Sequence, residues 1–174
     1  ERLNLAFKGV DIVIQDSGIE AGHPEWEDAD GTTRLQQLDW FTASGVSGSM
    51  PSGHYSDYHG HGTHVAGIVA ASRDNNLGAI GVANNVKIMT VRVVPDGDEH
   101  DKDVALGIRY AVDNGAKIIN TSFGKRFSPN KEWVYDALKY AASKDVLIVN
   151  AAGNDGKNMD VRKSYPTDSK DLVT

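Results

Sequence analysis

Four short runs rich in valine and isoleucine constrain the fold of this 174-residue chain more than any other feature. They occupy residues 10–14, 86–94, 117–120 and 146–150. Apolar and polar residues barely alternate within them, which is typical of parallel strands covered on both faces. We therefore predict an α/β fold with a mainly parallel sheet and helices on both faces, in a single domain over residues 1–174.

Helical patterns separate these predicted strands. The first pattern covers residues 61–72 and the second covers residues 103–114. A third is predicted to begin with Ser128 as N-cap and Pro129 at the first helical position, which are favoured residues for those places. Its apolar residues recur at helical spacing, at Val134, Ala137, Leu138 and Ala141. Residues 27–58 are polar and rich in Gly and Ser, and we predict an irregular excursion there.

Composition excludes several classes of function. The net charge of −6, with no block of Lys or Arg, argues against a nucleic-acid partner. The absence of cysteine excludes disulfides, thiolate catalysis and thiolate metal sites. No apolar run approaches the roughly 18 residues that span a membrane, so no membrane partner is expected.

Polar residues follow three of the predicted strands. Asp16 comes after the first strand, Ser122 after the third and Asn154 after the fourth, while His61 opens the first helix. Ligands of open α/β sheets bind outside the carboxyl ends of the strands. The sequence therefore predicts a site that contains Asp16, His61 and Asn154.

These residue types suit acyl transfer to a serine. Histidine titrates near neutrality and so carries protons well. A carboxylate such as that of Asp16 can orient the imidazole and stabilise its charged form. The side-chain amide of Asn154 can donate a hydrogen bond to a developing oxyanion. The predicted chemistry is hydrolysis in which His61 acts as general base and then as general acid.

Five motifs resemble those of the subtilisin-like serine peptidases, or subtilases. They are VIQDSGI at 13–19, HPE at 23–25, GHGTHVAG at 60–67, NTSFG at 120–124 and NAAGN at 150–154. They follow the family's order and span most of the chain. The resemblance implies a subtilisin-like three-layer fold, serine endopeptidase activity, a polypeptide substrate and a secreted, extracellular protein.

The resemblance also implies a role for individual residues. Asp16 and His61 correspond to the acid and base of the Asp-His-Ser triad, His64 to a structural residue and Asn154 to the oxyanion donor. The pocket for the residue before the scissile bond would have two walls, formed by Ser122, Phe123 and Gly124 and by Ala151, Ala152 and Gly153. An edge strand that pairs with the substrate backbone would be formed by Gly97, Asp98, Glu99 and His100.

The family's nucleophile motif is absent from these 174 residues. Ser49 lies in a weakly similar Ser-Gly-Ser-Met-Pro segment, but it precedes His61. We therefore expect a chain truncated at its C-terminus, nearly inactive alone, whose partner is the missing C-terminal portion on the same precursor or a second chain. The alternative is a subtilase-fold binding module that has lost catalysis.

The resemblance implies a structural calcium ion near the end of the first helix. Its ligands would be the Glu25 carboxylate, the Asn75 side chain and the backbone oxygens of Arg73, Leu77 and Ala79. Such hard oxygen ligands suit Ca²⁺. The alternative is an Asn- and Gly-rich turn that holds no ion.

Two further patterns have alternative interpretations. His59, His61 and His64 could hold zinc in a His-ligated hydrolase. The acidic residues of 96–103 suggest a solvated loop and helix-start charges, or a preference for basic residues upstream of the cut. Gln15 stands where the family usually has an apolar residue, and a buried glutamine there needs hydrogen-bond partners.

Overall fold

Five parallel strands form the centre of the molecule. The structure is a computed structural model that describes residues 11–41, 47–48, 57–83, 85–94 and 99–174. For residues 37–41 and 47–48 it describes the backbone alone. The strands are β1 (Asp11–Asp16), β2 (Leu35–Phe41), β4 (Lys87–Arg92), β5 (Ile118–Thr121) and β6 (Leu147–Asn150), with a two-residue β3 (Ser47–Gly48) antiparallel to β2. The sheet order is β3-β2-β4-β1-β5-β6. The predicted α/β class and mainly parallel sheet are confirmed.

All four predicted strands are present, each with ends that differ from the prediction by a residue or two. The prediction missed β2, which lies within the segment interpreted as an irregular excursion. β2 pairs in parallel with β4, so this part of the chain extends the sheet beyond β4.

The sheet is buried on both faces over its central strands. Val13 of β1 belongs to a core formed with α2 (Asp101–Asp113) and α3 (Lys131–Ser143), which includes Ile108 and Leu138. The next residue, Ile14, belongs to a second core on the opposite face, where α1 (His61–Ala70) packs through Ala66 and Ala70. Successive strand residues point to opposite faces, so helices cover both sides as predicted.

Helix α3 begins later than predicted, at Lys131 with Asn130 as N-cap. The Ser128 hydroxyl does not cap this helix, because it donates to Asp101 Oδ1 (2.6 Å) at the start of α2, while Asn130 N donates to Asp101 Oδ2 (2.9 Å). Burial disfavours ionisation of Asp101, but hydrogen bonds from Lys125, Ser128 and Asn130 outweigh that effect and hold its pKa below the usual value.

The predicted helix-start charges are present, because Asp101 and Asp103 lie in the first turn of α2, but these two residues are not solvated. Asp101 and Asp103 are both buried, and Asp103 Oδ1 lies 3.1 Å from Lys102 Nζ. Neither carboxylate is among the residues that line the two cavities described below, although Asp101 lines two others. Asp96 and Asp98 lie outside the described residues.

Gln15 has a structural role in the same region. Its side chain is fully buried between β1 and α2, and its Nε2 donates to the backbone oxygen of Val104 (3.0 Å). The helix comes this close because Gly107 has no side chain; a Cβ there would lie 2.6 Å from Val93 Cγ1. The glutamine therefore links the central strand to α2.

Within the described residues, every helix is too short or too polar to cross a bilayer.

Candidate active site

Asp16 and His61 form a hydrogen-bonded pair at the carboxyl end of β1. Asp16 is the last residue of that strand and His61 the first residue of α1. His61 Nδ1 lies 2.8 Å from Asp16 Oδ1, which also accepts a hydrogen bond from Ser17 N (2.7 Å). The Asp16 side chain is 4% exposed and that of His61 is 44% exposed. A buried carboxylate thus holds one edge of an imidazole whose other edge faces the solvent.

Asp57 fixes the start of α1, and the sequence analysis did not identify it. Its Oδ1 accepts from Ser17 Oγ (2.8 Å) and Gly60 N (3.0 Å), and its Oδ2 accepts from the amide and the hydroxyl of Thr63 (both 2.9 Å). Burial disfavours the charged form, but these hydrogen bonds outweigh it and lower the pKa of Asp57. An acidic residue shortly before a helix was the available signal.

Ser17 completes this network between the strand end and the helix. Its hydroxyl oxygen accepts from Gly62 N at 3.0 Å while its proton goes to Asp57. A Cβ at Gly62 would lie 2.1 Å from the backbone oxygen of Gly18, so only glycine permits this approach. The helix start is therefore held against the loop after β1, and the position of His61 relative to Asp16 follows from it.

Two adjoining cavities open beside this pair. The smaller, of about 130 Å³, is lined by Asp16, Ser17, His59, His61, Val94, Glu99, Ser122 and Phe123. The larger, of about 320 Å³, contains Asn154 and both predicted pocket walls, Ser122 to Gly124 and Ala151 to Gly153. Glu99, Ser122 and Phe123 line both. The structure thus brings the predicted acid, base and oxyanion donor to one continuous rim of the sheet.

The predicted substrate strand is brought only partly to this rim. Glu99 lines both cavities, whereas His100 is the N-cap of α2 and lines a different cavity near Trp133. Gly97 and Asp98, like Ser49, lie outside the described residues. His64 is exposed on α1, apart from the two cavities.

Two of the predicted calcium ligands, Glu25 and Asn75, are in contact, and Asn75 Oδ1 accepts a hydrogen bond from Leu77 N (3.0 Å). Glu25 is 4% exposed; its Oε2 accepts from Asn75 Nδ2 (2.9 Å), and its Oε1 is buried with no hydrogen-bond partner among the described residues. The loop after α1 folds over that oxygen, because a Cβ at Gly78 would lie 2.8 Å from it. The Arg73 guanidinium donates away from this point, to Gly81 O and Val82 O.

The three histidines His59, His61 and His64 do not converge. The rings of His59 and His61 meet edge to face with centroids 6.1 Å apart, and His61 Nδ1 is engaged by Asp16. In the part of the chain that the structure describes, no three His, Asp or Glu side chains form a group suited to a metal ion. The geometry favours an acid–base pair over a zinc site.

Known proteins agree with this fold. The model of the subtilase family (Peptidase_S8) matches residues 7–174. The cell wall-associated protease of Bacillus subtilis is 50% identical over 119 residues, which cover 68% of this chain and 13% of that protein. Thermitase of Thermoactinomyces vulgaris is 33% identical and covers 85% of this chain and 48% of its own length. A solved structure, the S41 psychrophilic protease, superposes with a TM-score of 0.77 at 30% identity, over 95% of this chain and 52% of that one.

The chain belongs to the subtilase family, and its fold is subtilisin-like. It spans from about an eighth to about half of the length of these relatives.

Proposed function

We propose that the chain provides the acid, the base and the oxyanion donor of a serine endopeptidase. The observation that carries this proposal is the 2.8 Å contact between the buried Asp16 carboxylate and His61 Nδ1, at a cavity that Ser122 and Phe123 of one predicted pocket wall also line. Membership of the subtilase family supports it. The substrate class that follows is polypeptide.

In the proposed reaction, Asp16 accepts a hydrogen bond from the Nδ1–H of His61, which leaves the unprotonated Nε2 to accept the proton of the nucleophile. The imidazole removes the proton of a serine hydroxyl as that oxygen attacks the scissile carbonyl, and Asp16 stabilises the resulting imidazolium. His61 then returns the proton to the leaving amine, and in the second half it removes a proton from the water that attacks the acyl-serine and gives it back to the serine oxygen as the carboxylic acid leaves. Asn154 donates from its amide to the oxyanion. The backbone near Glu99 pairs with the substrate chain.

We further propose that the serine comes from polypeptide outside these 174 residues. Ile68 and Val82 are 58% and 77% exposed, and their backbones adjoin because Val82 N donates to Ile68 O (3.1 Å). Contiguous exposed apolar surface of this kind marks a contact with another element. The shorter span of this chain relative to its relatives supports the same proposal.

The test is labelling of the full-length protein with a serine-directed fluorophosphonate, together with cleavage of an unstructured polypeptide. We expect labelling and cleavage in the wild type and the loss of both in His61→Ala. Lys139→Ala is the control, because the Lys139 side chain is exposed on α3 and lines neither cavity. A wild-type protein that neither labels nor cleaves would establish the binding-module alternative.

A calcium ion bound by Glu25 is a further part of the proposal. The buried, unpaired Glu25 Oε1 fits a cation, and the Asn75 side chain and the backbone oxygens of Arg73, Leu77 and Ala79 would complete the oxygen ligands. Bound calcium would neutralise that carboxylate and hold the loop after α1 against Glu25. We expect a chelator to lower the melting temperature of the wild type and to leave that of Glu25→Gln unchanged; an equal melting temperature with and without chelator would contradict the site.

We propose that the protein acts outside the cell, in line with the name of its cell wall-associated relative. Immunodetection in culture medium, cell-wall and cytoplasmic fractions tests this. Detection in the cytoplasmic fraction alone would contradict it.

A further inference from the structure

The larger cavity beside Asn154 has an uneven charge. Among the residues that the structure describes, which leave out 95–98, its lining contains two carboxylates, Glu99 and Asp155. Against them stand four cationic side chains, those of Arg126, Lys157, Arg162 and Lys163. The chain as a whole carries a net charge of −6, so this local excess of positive charge runs against the composition of the protein.

Asp155 does not cancel that excess, because one carboxylate is shared among three cations. Arg126 forms a direct ion pair with it, and Lys157 Nζ lies 3.8 Å from its Oδ2. Hydrogen bonding and charge from Arg126, followed by the charges of Lys157 and Arg162, lower the pKa of Asp155. The carboxylate is therefore ionised at neutral pH, and positive charge remains unmatched around it.

The position of this charge gives it a role in substrate choice. Asp155 follows Asn154 directly in the chain, and the cavity walls are the segments assigned to the residue before the scissile bond. The side chains of Arg126 and Lys157 are 63% and 41% exposed, so a bound group can reach them although both lie beside Asp155. A cavity of about 320 Å³ accepts a side chain of glutamate size.

Resting on the proposed peptidase function, we infer that this cavity selects an acidic side chain, glutamate or aspartate, at the residue before the scissile bond. The opposite preference, for basic residues, was suggested by the acidic residues of 96–103. Of these acidic residues, Asp101 and Asp103 are buried at the start of α2. Among the described residues of 96–103, Glu99 is the acidic residue that lines the cavity.

The test uses the full-length protein and a set of peptides that differ only at the residue before the cut: Glu, Gln, Leu and Lys. Glu and Gln have nearly the same shape, so the ratio of their kcat/KM values isolates the effect of charge. We expect Glu to exceed Gln by about tenfold at low ionic strength, the size of one or two partly exposed charge interactions. The ratio should approach one at about 1 M salt, where the Debye length is about 3 Å.

Two substitutions should shift the Glu/Gln ratio in opposite directions. Arg162→Gln removes a cation and lowers the ratio, whereas Asp155→Asn removes the competing carboxylate and raises it. Lys170→Gln is the matched control, because it removes the same charge outside the cavity and leaves the ratio unchanged. Cleavage of the Gln peptide shows that each variant is folded.

Each result is decisive. A wild-type ratio at or below one, or variants that leave the ratio unchanged, overturns the inference while cleavage of the Gln and Leu peptides keeps the peptidase proposal. Failure to cleave any peptide, with no fluorophosphonate labelling, overturns the peptidase proposal and the inference with it. Labelling without cleavage of the Glu peptide overturns the inference alone.

Discussion

The two ends of the site's rim are built in different ways. Around the start of α1, Asp16 and Ser17 are buried, and hydrogen bonds from Ser17, Gly60 and Thr63 converge on Asp57. After β6, by contrast, residues 151–158 are all exposed. The comparison shows that this chain's own residues fix the proposed acid–base pair, whereas the segment that carries the proposed oxyanion donor is exposed.

The largest effect should come from Asp16→Asn, at the buried end of the rim. The neutral amide does not enforce the correct imidazole tautomer, and it cannot stabilise the imidazolium. We expect kcat to fall about 10⁴-fold, a size already known from triad substitutions in subtilisin itself, a member of this family, and in trypsin-like enzymes. Steady-state kinetics on the full-length protein measures it, with the exposed Asp136→Asn as control. A loss under tenfold would show that the pair is not catalytic.

Asn154→Ala should have the next largest effect, at the exposed end. Loss of one oxyanion donor lowers kcat about 10²- to 10³-fold, again a magnitude known from subtilisin. Because Asn154 is exposed, the melting temperature should stay within about 1 °C of the wild type, as for exposed positions free of special contacts. A change in KM alone, with kcat preserved, would exclude an oxyanion role. A large loss of stability would show that the two ends are built alike.

Much of the fold and of the rim could be predicted from the sequence. Uninterrupted Val- and Ile-rich runs indicate buried parallel strands wherever they occur, and the residue after such a strand lies at the ligand-binding edge. That rule places Asp16 at this edge, and the start of the next helix brings His61 beside it. Both features are local, so a single sequence contains them.

The features that the sequence did not reveal depend on distant partners. Strand β2 has the polar residues Gln36, Gln37 and Asp39 in its seven positions, and its pairing with β4 cannot be inferred from such a pattern. Asp57 belongs to the same polar segment, and its role depends on Ser17, forty residues earlier. Asp101 looks like an exposed helix-start charge until Ser128 and Asn130 fold over it.

A matched pair of glycine substitutions compares the stability of the buried start of α1 with that of the exposed segment after β6. An alanine Cβ at Gly62 would lie 2.1 Å from Gly18 O, a backbone atom that cannot move without the strand end. We expect Gly62→Ala to cost about 3 kcal/mol of unfolding free energy, at the upper end for overpacking, and to lower kcat by displacing His61.

At Gly153 a Cβ meets nothing within 4 Å among the described residues, but φ is +96°. Gly153→Ala should cost only about 1 kcal/mol. Urea unfolding at pH 7 compares them, and equal costs would contradict the contrast.

The smallest effect is expected at Asp57, and its dependence on pH identifies it. In Asp57→Asn, an amide NH₂ faces groups that now donate hydrogen bonds to the carboxylate. The variant should therefore lose about 1 kcal/mol of unfolding free energy at pH 7, like other losses of a helix-start acceptor.

The folded-state pKa of Asp57 is lowered, so the stabilisation by its carboxylate is complete above the unfolded-state pKa of about 3.9. It is lost as the pH falls through the lower folded-state pKa. The stability gap between wild type and Asp57→Asn should therefore be constant from about pH 5 to 7 and shrink below about pH 4. Urea unfolding across that range measures the gap, with Asp136→Asn as the exposed control. A gap that stays the same down to pH 2.5 would show that the ionised carboxylate does not hold the start of α1.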